Sequence, residues 1–470
     1  MPIRKRFILA LRQDRRRTDQ RNRRMGFFRR PLVIRNISIG LVLLLAASAL
    51  SGQSSEPNIL SIPAGPFAIG RITYHWIDSS RAEFLVTDAK PRRELMVDVW
   101  YPALRQRDRL AAAYLPDLRR LQRVLGDSAL RRDFAPASSA IAAGLLRTHA
   151  TEAPSSNCPA RGCPLLVFSH GGGVDRSFYT SQYEDLASNG YIIAAIAHTY
   201  DTHLVVFPNG RVVRAVPGFR DTLRSDSALP RWRRNLKTEL RSQAYVRRVI
   251  NINVEDIRFV IDQLSRYARD PHLRSPLLKR IDLERVGALG HSAGGEAAAF
   301  ACQVDARLRA CLNEDGVMQN LPFSRDPAGR TMNQPFMYIG RSYGPPRLSD
   351  TELASMEMTR AEADSLFHAI TTSQDELLSD MPAGAYRVTL KMPGVTHMSF
   401  TDEPLIEAAR DSVKFADARL ALTMIEKYTR AFFDRTLLGR RETVLDRPPP
   451  ADTALVIIDQ FAPPVTRTRP

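Results

Sequence analysis

Val286-Gly-Ala-Leu-Gly-His-Ser-Ala-Gly-Gly295 joins an apolar run, Val286 to Leu289, to a run of small residues, Ala297 to Cys302. The first reads as a short buried strand and the second as a helix. Between them lies the pattern G-x-S-x-G, with Gly290, Ser292 and Gly294. A strand that turns sharply into a helix forces its turn residue into a strained backbone, so the flanking positions must lack bulk. Such a turn lifts the Ser292 hydroxyl above the sheet edge. There the N-terminus of the following helix favours a developing negative charge. The competing reading is a glycine-rich turn with an incidental serine. The strand before it and the small-residue helix after it favour a nucleophile.

Working outward, Pro164 to Ser169 (PLLVFS) and Tyr191 to Ala197 (YIIAAIA) are buried-type strands, with helical periodicity from Tyr179 to Ser188 between them. Strand, helix, strand at this spacing implies a right-handed crossover and a parallel sheet. Upstream, Ala82 to Thr87 and Glu94 to Tyr101 alternate apolar and polar residues and predict an antiparallel hairpin. Residues 51–80 are expected to drape over the body and 103–150 to be helical. A small hairpin is expected within Val205 to Val213, and a helix from Val249 to Tyr267. Downstream, Ala310 to Leu312, Pro335 to Gly340 and Tyr386 to Met392 read as strands, and Ala416 to Leu437 as a long closing helix. The whole predicts an α/β-hydrolase fold: a mostly parallel central sheet, an N-terminal antiparallel hairpin, and helical insertions near the active site at about 218–246 and 348–380. One catalytic domain over 51–445 is expected, followed by a Pro-rich irregular tail over 446–470.

A serine hydroxyl becomes a good nucleophile only when a base takes its proton and a carboxylate orients that base. In this fold the chain order is serine, acid, histidine. Of the nine histidines, His368 and His397 follow Ser292 with room for an acid between. His368 sits within a helical pattern and reads as a surface or packing residue. His397 follows a strand in the loop Gly394-Val-Thr-His-Met-Ser-Phe400 and is the candidate base. Glu314 and Asp315 both stand where the acid should. Strand alternation would point one to the site and the other to solvent or a backbone donor. Glu296 reads as structural, and Asp402 and Glu403 as loop charges. His170-Gly-Gly-Gly173 follows a strand, and its glycines let backbone N–H groups approach a substrate oxygen. The N–H groups of Gly172 and Ala293 are the candidate oxyanion hole. His170 and His291 read as packing or hydrogen-bonding residues.

Composition sets the class. Hydrophobic residues make up 44% and charged residues 25% of the 470-residue chain, ordinary values for a globular protein with a sizeable core. The net charge of +17 suggests nucleic acid until it is located. Residues 1–35 hold 13 Arg or Lys against two Asp, leaving only +6 for the remaining 435 residues. No nucleic-acid motif follows, so no nucleic-acid partner is expected. The basic leader runs into Ile37 to Leu50, an apolar stretch of 14 residues that is short beside the roughly 20 of a membrane span. It ends in Ala47-Ser48-Ala49, a small-x-small cleavage pattern. Residues 1–50 thus read as a basic leader and signal peptide, with a start at Met25 giving a basic region of normal length. An uncleaved N-terminal membrane anchor is the alternative. Export fits four cysteines in two close pairs, Cys158 with Cys163 and Cys302 with Cys311, expected as disulfides, although spacing alone leaves other pairings open. No zinc-like spacing is present, and neither a metal nor an organic cofactor is implied.

The chain resembles the secreted platelet-activating-factor acetylhydrolase family, the lipoprotein-associated phospholipases, and its bacterial relatives. The likeness lies in PLLVFSHGGGVDRSFYTSQYEDLASNGYIIAAIAHTYD, EDIRFVIDQL, GHSAGG and GVTHMSFTD, across roughly 94–300 and 310–400. The resemblance implies a serine esterase with Ser292 as nucleophile and His397 as base. It selects Asp315 over Glu314, because the family's acid lies 23 residues after its serine. Two departures bear on the acyl pocket: Ala293 replaces a phenylalanine, and Gly172 stands where a leucine is common. The expected partner is a small-molecule or lipid ester, with peripheral contact to a membrane or lipid surface as a corollary. Two rivals use the same scaffold: a polyester or dienelactone hydrolase or peptidase on the same triad, and a non-catalytic binding protein.

Overall fold

In the computed structural model, alternate residues of one buried strand feed two separate cores. This is β4, Cys163–Ser169, buried along its whole length. Leu165 and Val167 pack into one apolar cluster, and Leu166 and Phe168 into the other. A strand sealed on both faces needs a helical layer on each side, which is why it reads as an unbroken apolar run. The structure describes residues 58–83, 91–106, 109–116, 118–215, 231–270, 272–273, 275, 277–316, 332–342, 350–355 and 359–461. All of these lie in the compact unit Glu56–Pro470. The leader, residues 1–50, lies outside the described residues, as does most of Ala82 to Thr87.

Strands β1 (Ala68–Ala82) and β2 (Arg92–Ala103) pair antiparallel, with Trp76 opposite Leu95. Helices α1 (Leu118–Asp133) and α2 (Ala135–Ala142) follow, then the short β3 (Ala150–Glu152). After β4 come α3 (Thr180–Ser188), β5 (Ile192–Ala197) and the β6–β7 hairpin (Leu204–Val206, Val212–Arg214). Next are α4 (Arg231–Arg269), β8 (Ile281–His291), α5 (Ala293–Val304), β9 (Leu308–Glu314) and β10 (Phe336–Arg341). Then follow α6 (Arg360–Ser379), β11 (Ala385–Leu390), α7 (Ser412–Thr436) and β12 (Val456–Phe461).

The sheet order is β12-β11-β10-β9-β8-β4-β5-β2-β1-β3. The six strands from β5 to β11 in that order are mutually parallel, and β2, β1 and β12 add antiparallel pairs at the two sides. Helices α4 and α5 contribute to one apolar cluster and α3 and α7 to the other, so the sheet is covered on both faces. This is the expected α/β-hydrolase architecture.

Several expectations about individual elements need correction. The first strand starts at Ala68, within the stretch expected to drape, and ends at Ala82, where the sequence reading began it. The tail is not wholly irregular: Val456–Phe461 pairs with β11 and closes that edge of the sheet. Residues 231–246, expected as part of a helical insertion separate from the helix over Val249 to Tyr267, form one continuous 39-residue helix with it. Arginine is a good helix former, so the Arg-rich stretch extends that helix toward its N-terminus. The other expected insertion, 348–380, contains helices at Asp350–Ser355 and α6.

Two disulfides join the cysteines as expected: Cys158–Cys163 and Cys302–Cys311. The second ties the far end of α5 to β9, so the element after Ser292 and the strand before Asp315 share a covalent link. Among the described residues no helix is long and apolar enough to cross a membrane.

Candidate active site

Parallel strands present their C-terminal ends at one edge of the sheet, and the candidate residues gather there. Ser292 follows β8 directly, with φ 55° and ψ −125°, a backbone that side chains rarely adopt. Its flanking glycines are needed for close approach. A Cβ at Gly290 would collide with the Ser169 carbonyl, and one at Gly294 with the carbonyls of Ser169 and His170. The Ser292 N–H donates to the Glu314 carbonyl at 2.8 Å, locking the turn to the next strand.

His397 Nε2 lies 2.9 Å from Ser292 Oγ, and its Nδ1 lies 2.7 Å from Asp315 Oδ2. An ionised carboxylate only accepts, so Nδ1 carries the proton and Nε2 is free to take one from the serine. Asp315 follows β9 with φ 51°, a second strained residue at this edge. Burial alone would raise the Asp315 carboxyl. The His397 bond and the Arg341 guanidinium outweigh that and hold it below the usual carboxylate range. Arg341, at the end of β10, donates to Asp315 from Nε at 2.7 Å and from its backbone N–H at 3.1 Å.

The His397 loop is held from below. His397 opens a single turn, His397–Phe400, in which the Thr396 N–H donates to Ser399 Oγ at 2.9 Å. Asp402, expected as a loop charge, is fully buried instead. It accepts from Tyr114 Oη at 2.9 Å and from the Ser181 N–H at 3.3 Å, and its own N–H donates to the Phe178 carbonyl at 2.6 Å. Burial pushes its carboxyl up to about 7.

In the glycine loop, the Gly171 N–H donates to Tyr179 Oη at 2.9 Å and the Gly173 N–H to the Asp201 carbonyl at 2.8 Å. Among the described residues the Gly172 N–H between them has no acceptor. A Cβ at Gly172 would come within 3.8 Å of the Ala293 Cβ, so the two residues face one another. Ala293 is the first residue of α5, and the first N–H groups of a helix have no partner in its own ladder. Two backbone donors therefore stand beside Ser292 with capacity to spare.

The structure separates the alternatives by place. Glu314 points to neither solvent nor a backbone donor: it is fully buried, with Gln182 Nε2 at 3.2 Å and Thr429 Oγ1 at 3.5 Å. His368 lies exposed on α6. His291 is buried, its ring 4.5 Å from that of His397 and stacked on Phe400, with Nδ1 3.0 Å from Tyr179 Oη. Glu296 is buried on α5. Arg341 was not among the expected site residues, and Asp402 was expected as a loop charge rather than a buried anchor. Arg341 carried a usable signal, being the last residue of a strand that ends at this edge.

A serine, histidine and aspartate joined by hydrogen bonds at the carboxyl edge of this sheet define an α/β-hydrolase. A family model described as platelet-activating factor acetylhydrolase, isoform II, matches residues 52–437, and the chain belongs to that family. A probable 1-alkyl-2-acetylglycerophosphocholine esterase of Arthroderma benhamiae is 26% identical over 429 residues, 89% of this chain and 98% of that protein. The platelet-activating factor acetylhydrolase of Cavia porcellus is 27% identical over 201 residues, 38% of this chain and 40% of its own length. Among solved structures, a ferulic acid esterase from Streptomyces cinnamoneus superposes with a TM-score of 0.59 at 28% identity. It covers 86% of this chain and 99% of its own. The protein is a carboxylic ester hydrolase.

Proposed function

We propose that Ser292, His397 and Asp315 are the catalytic triad of this esterase and that the N–H groups of Gly172 and Ala293 form its oxyanion hole. The unbroken hydrogen-bonded chain from Ser292 Oγ through His397 to Asp315 carries the reading. Ser292 Oγ attacks the ester carbonyl carbon while its proton passes to His397 Nε2. The carbonyl oxygen, now negative, is held by the two backbone donors. One such donor is typically worth about 3 kcal/mol of barrier. The intermediate collapses as His397 returns the proton to the departing alkoxide, leaving the acyl group on Ser292. Water, deprotonated by His397, then releases the acid. Asp315 keeps the imidazole in the productive tautomer throughout.

The substrate class we infer is a soluble ester of a short to medium acyl chain, including 2-acetyl glycerophospholipids. The family and the Arthroderma relative support the phospholipid headgroup. The facing pair Gly172 and Ala293 supports an acyl pocket wider than acetate needs. A second reading, an ester of a hydroxycinnamic acid, draws on the Streptomyces structure. Fluorophosphonate labelling of Ser292 tests the nucleophile. Rates on p-nitrophenyl esters of graded length, a 2-acetyl glycerophospholipid and a feruloyl ester separate the two substrates. No labelling of folded protein, or labelling that survives Ser292→Ala, refutes the triad.

Export is part of the proposal. The two disulfides support an oxidising compartment, and the apolar run before Ala47-Ser48-Ala49 supports cleavage near residue 50. N-terminal sequencing of protein from its native host checks this. A membrane-bound product that keeps Met1 or Met25 refutes cleavage.

A further inference from the structure

A second serine–histidine–aspartate chain lies beneath the glycine loop. Ser169 Oγ is 2.8 Å from His198 Nε2, and His198 Nδ1 is 2.9 Å from Asp256 Oδ2. The connectivity copies that of Ser292, His397 and Asp315, but Ser169, His198 and Asp256 have no exposed surface. No substrate reaches Ser169. The array continues through Arg93, whose Nε is 3.0 Å from Asp256 Oδ1 and whose Nη1 donates to Glu83 at 2.8 Å and to the Thr199 carbonyl at 2.7 Å. Arg81 Nη2 also reaches Asp256 Oδ1 at 2.9 Å. These residues come from β1, β2, the ends of β4 and β5, and α4. Each buried charge has an opposite partner, as burial of charge requires.

The other end of this array touches the candidate oxyanion loop. The backbone N–H of His198, whose ring is held by Ser169 and Asp256, donates to His170 Nε2 at 3.1 Å. Since Nε2 accepts, the His170 proton sits on Nδ1, which donates to the Gly171 carbonyl at 2.8 Å. The Val174 N–H reaches the same carbonyl at 3.0 Å. Burial first, and the neighbouring His198 second, hold His170 well below the usual histidine range, so the ring stays neutral and can accept. A trans peptide places its C=O and N–H on opposite sides. Pinning the Gly171 carbonyl on one side of this peptide therefore fixes the Gly172 N–H on the other, in a residue whose Cβ position lies 3.8 Å from the Ala293 Cβ.

We propose that Ser169, His198 and Asp256, with Arg93 and with His170 resting on them, form a buried positioning array that orients the Gly171–Gly172 peptide so that the Gly172 N–H meets the substrate's developing oxyanion. His170 and His198 are positioning residues, acting through a backbone donor. The inference rests on the oxyanion-hole reading above and adds what holds that hole in place.

The test uses the full chain and three variants, His170→Ala, His170→Asn and Ser169→Ala, on a p-nitrophenyl ester. Rates are normalised to Ser292 sites titrated to endpoint with a fluorophosphonate. Binding of an alkyl trifluoromethyl ketone, which forms a hemiketal oxyanion on the serine, is measured in parallel. His170→Ala should lower kcat per titrated site roughly 10- to 100-fold with KM within about twofold, and weaken ketone binding by the same factor as kcat/KM. His170→Asn, whose Nδ2 can take the place of Nδ1, should recover part of both losses. Ser169→Ala removes only a hydroxyl and should lower kcat roughly threefold to tenfold. It decides the matter if the His170 variants do not fold. A purely structural role would lower the melting temperature and the titratable fraction while leaving kcat per site unchanged. That result, or a kcat loss without matching loss of ketone affinity, overturns the proposal. Ser292→Ala separates the two levels. Activity surviving there overturns the triad and this inference together, whereas a dead Ser292→Ala beside unaffected His170 and Ser169 variants overturns the inference alone.

Discussion

Arg341 Nε and His397 Nδ1 each lie 2.7 Å from the same atom, Oδ2 of Asp315. The carboxylate is therefore shared between the proposed base and a permanent cation. Against the effect of burial, the His397 hydrogen bond and the Arg341 guanidinium together hold the Asp315 carboxyl below the usual carboxylate range. Arg341→Gln removes one of those two supports, so the carboxyl should take up a proton at higher pH than in the natural protein. The acid limb of kcat/KM should therefore move to higher pH. An unmoved limb in pH–rate profiles would show that Arg341 only braces the loop.

The acid and base assignments separate cleanly by mutation. Triad members act as a unit, so His397→Ala should lower kcat by roughly 10⁴-fold or more. His368→Ala, changing an exposed residue on α6, should leave activity within about tenfold, or about 1.4 kcal/mol of barrier. Glu314→Gln should do the same. Steady-state kinetics on one ester suffices. A dead His368→Ala beside an active His397→Ala would overturn the assignment.

Glu314 sets a pH dependence of stability rather than of rate. Burial pushes its carboxyl up to about 8, so the folded protein binds a proton there that the unfolded chain releases near pH 4.3. Between those values the native state holds more protons than the unfolded one. Stability therefore falls as pH rises through that window, by up to about 1.4 kcal/mol per unit, and levels off above pH 8. Asp402, pushed up by burial to about 7, acts in the same direction. Glu314→Gln keeps an acceptor for Gln182 and carries no proton to lose. Its urea midpoint should fall less steeply between pH 5 and 8 than that of the natural protein. Equal slopes would place the effect elsewhere.

How much of this the sequence disclosed depended on the kind of signal. Buried parallel strands are continuous apolar runs, so β4, β5 and β8 could be read directly, and the turn at Ser292 followed from its glycines. The ends of the sheet could not be read that way. Ala68–Ala82 alternates polar and apolar residues only over Arg71 to Trp76 and then enters the polar run Asp78 to Arg81, and Val456–Phe461 sits among prolines, so it is pairing with β2 and β11 that extends both into sheet strands. Ser292 was read from its G-x-S-x-G turn and His397 from chain order and its loop, and only the family resemblance preferred Asp315 to Glu314; the fold brings these three side chains into one hydrogen-bonded chain. Asp402 and Asp256 gave no local sign of burial. Their partners, Tyr114 and Ser181 for one and Arg93 and His198 for the other, are remote in sequence and meet only in the fold.

The disulfide Cys302–Cys311 should matter to stability. It closes a loop of sequence separation 9 between two fully packed residues. Loop-closure entropy puts such a link at about 3 kcal/mol. A Cys302→Ala/Cys311→Ala protein should unfold at correspondingly lower urea while keeping its kcat per titrated Ser292. Full stability in that variant would remove the disulfide from the account of how α5 and β9 are held.

The acyl pocket gives the last expectation. Gly172 and Ala293 face each other next to Ser292, and a Cβ at Gly172 would meet only ordinary contacts, 3.6 Å to Asp201 Oδ1 and 3.8 Å to the Ala293 Cβ. A Cβ thus fits at Gly172, where the family pattern has a leucine, and Ala293 stands where that pattern has a phenylalanine. A methylene in such a pocket is worth about 1–3 kcal/mol, so preference among acyl chains should change by degrees rather than abruptly. Ala293→Phe should add bulk there and shift the ratio of kcat/KM toward acetyl over hexanoyl esters by roughly tenfold or more. Its backbone N–H remains in place, so activity on acetyl esters should persist. Gly172→Ala, which fits without collision, should produce a smaller shift in the same direction. An Ala293→Phe protein with the natural chain-length profile would show that the acyl group lies elsewhere. A natural protein that prefers long-chain triglyceride emulsions would reject the pocket reading itself.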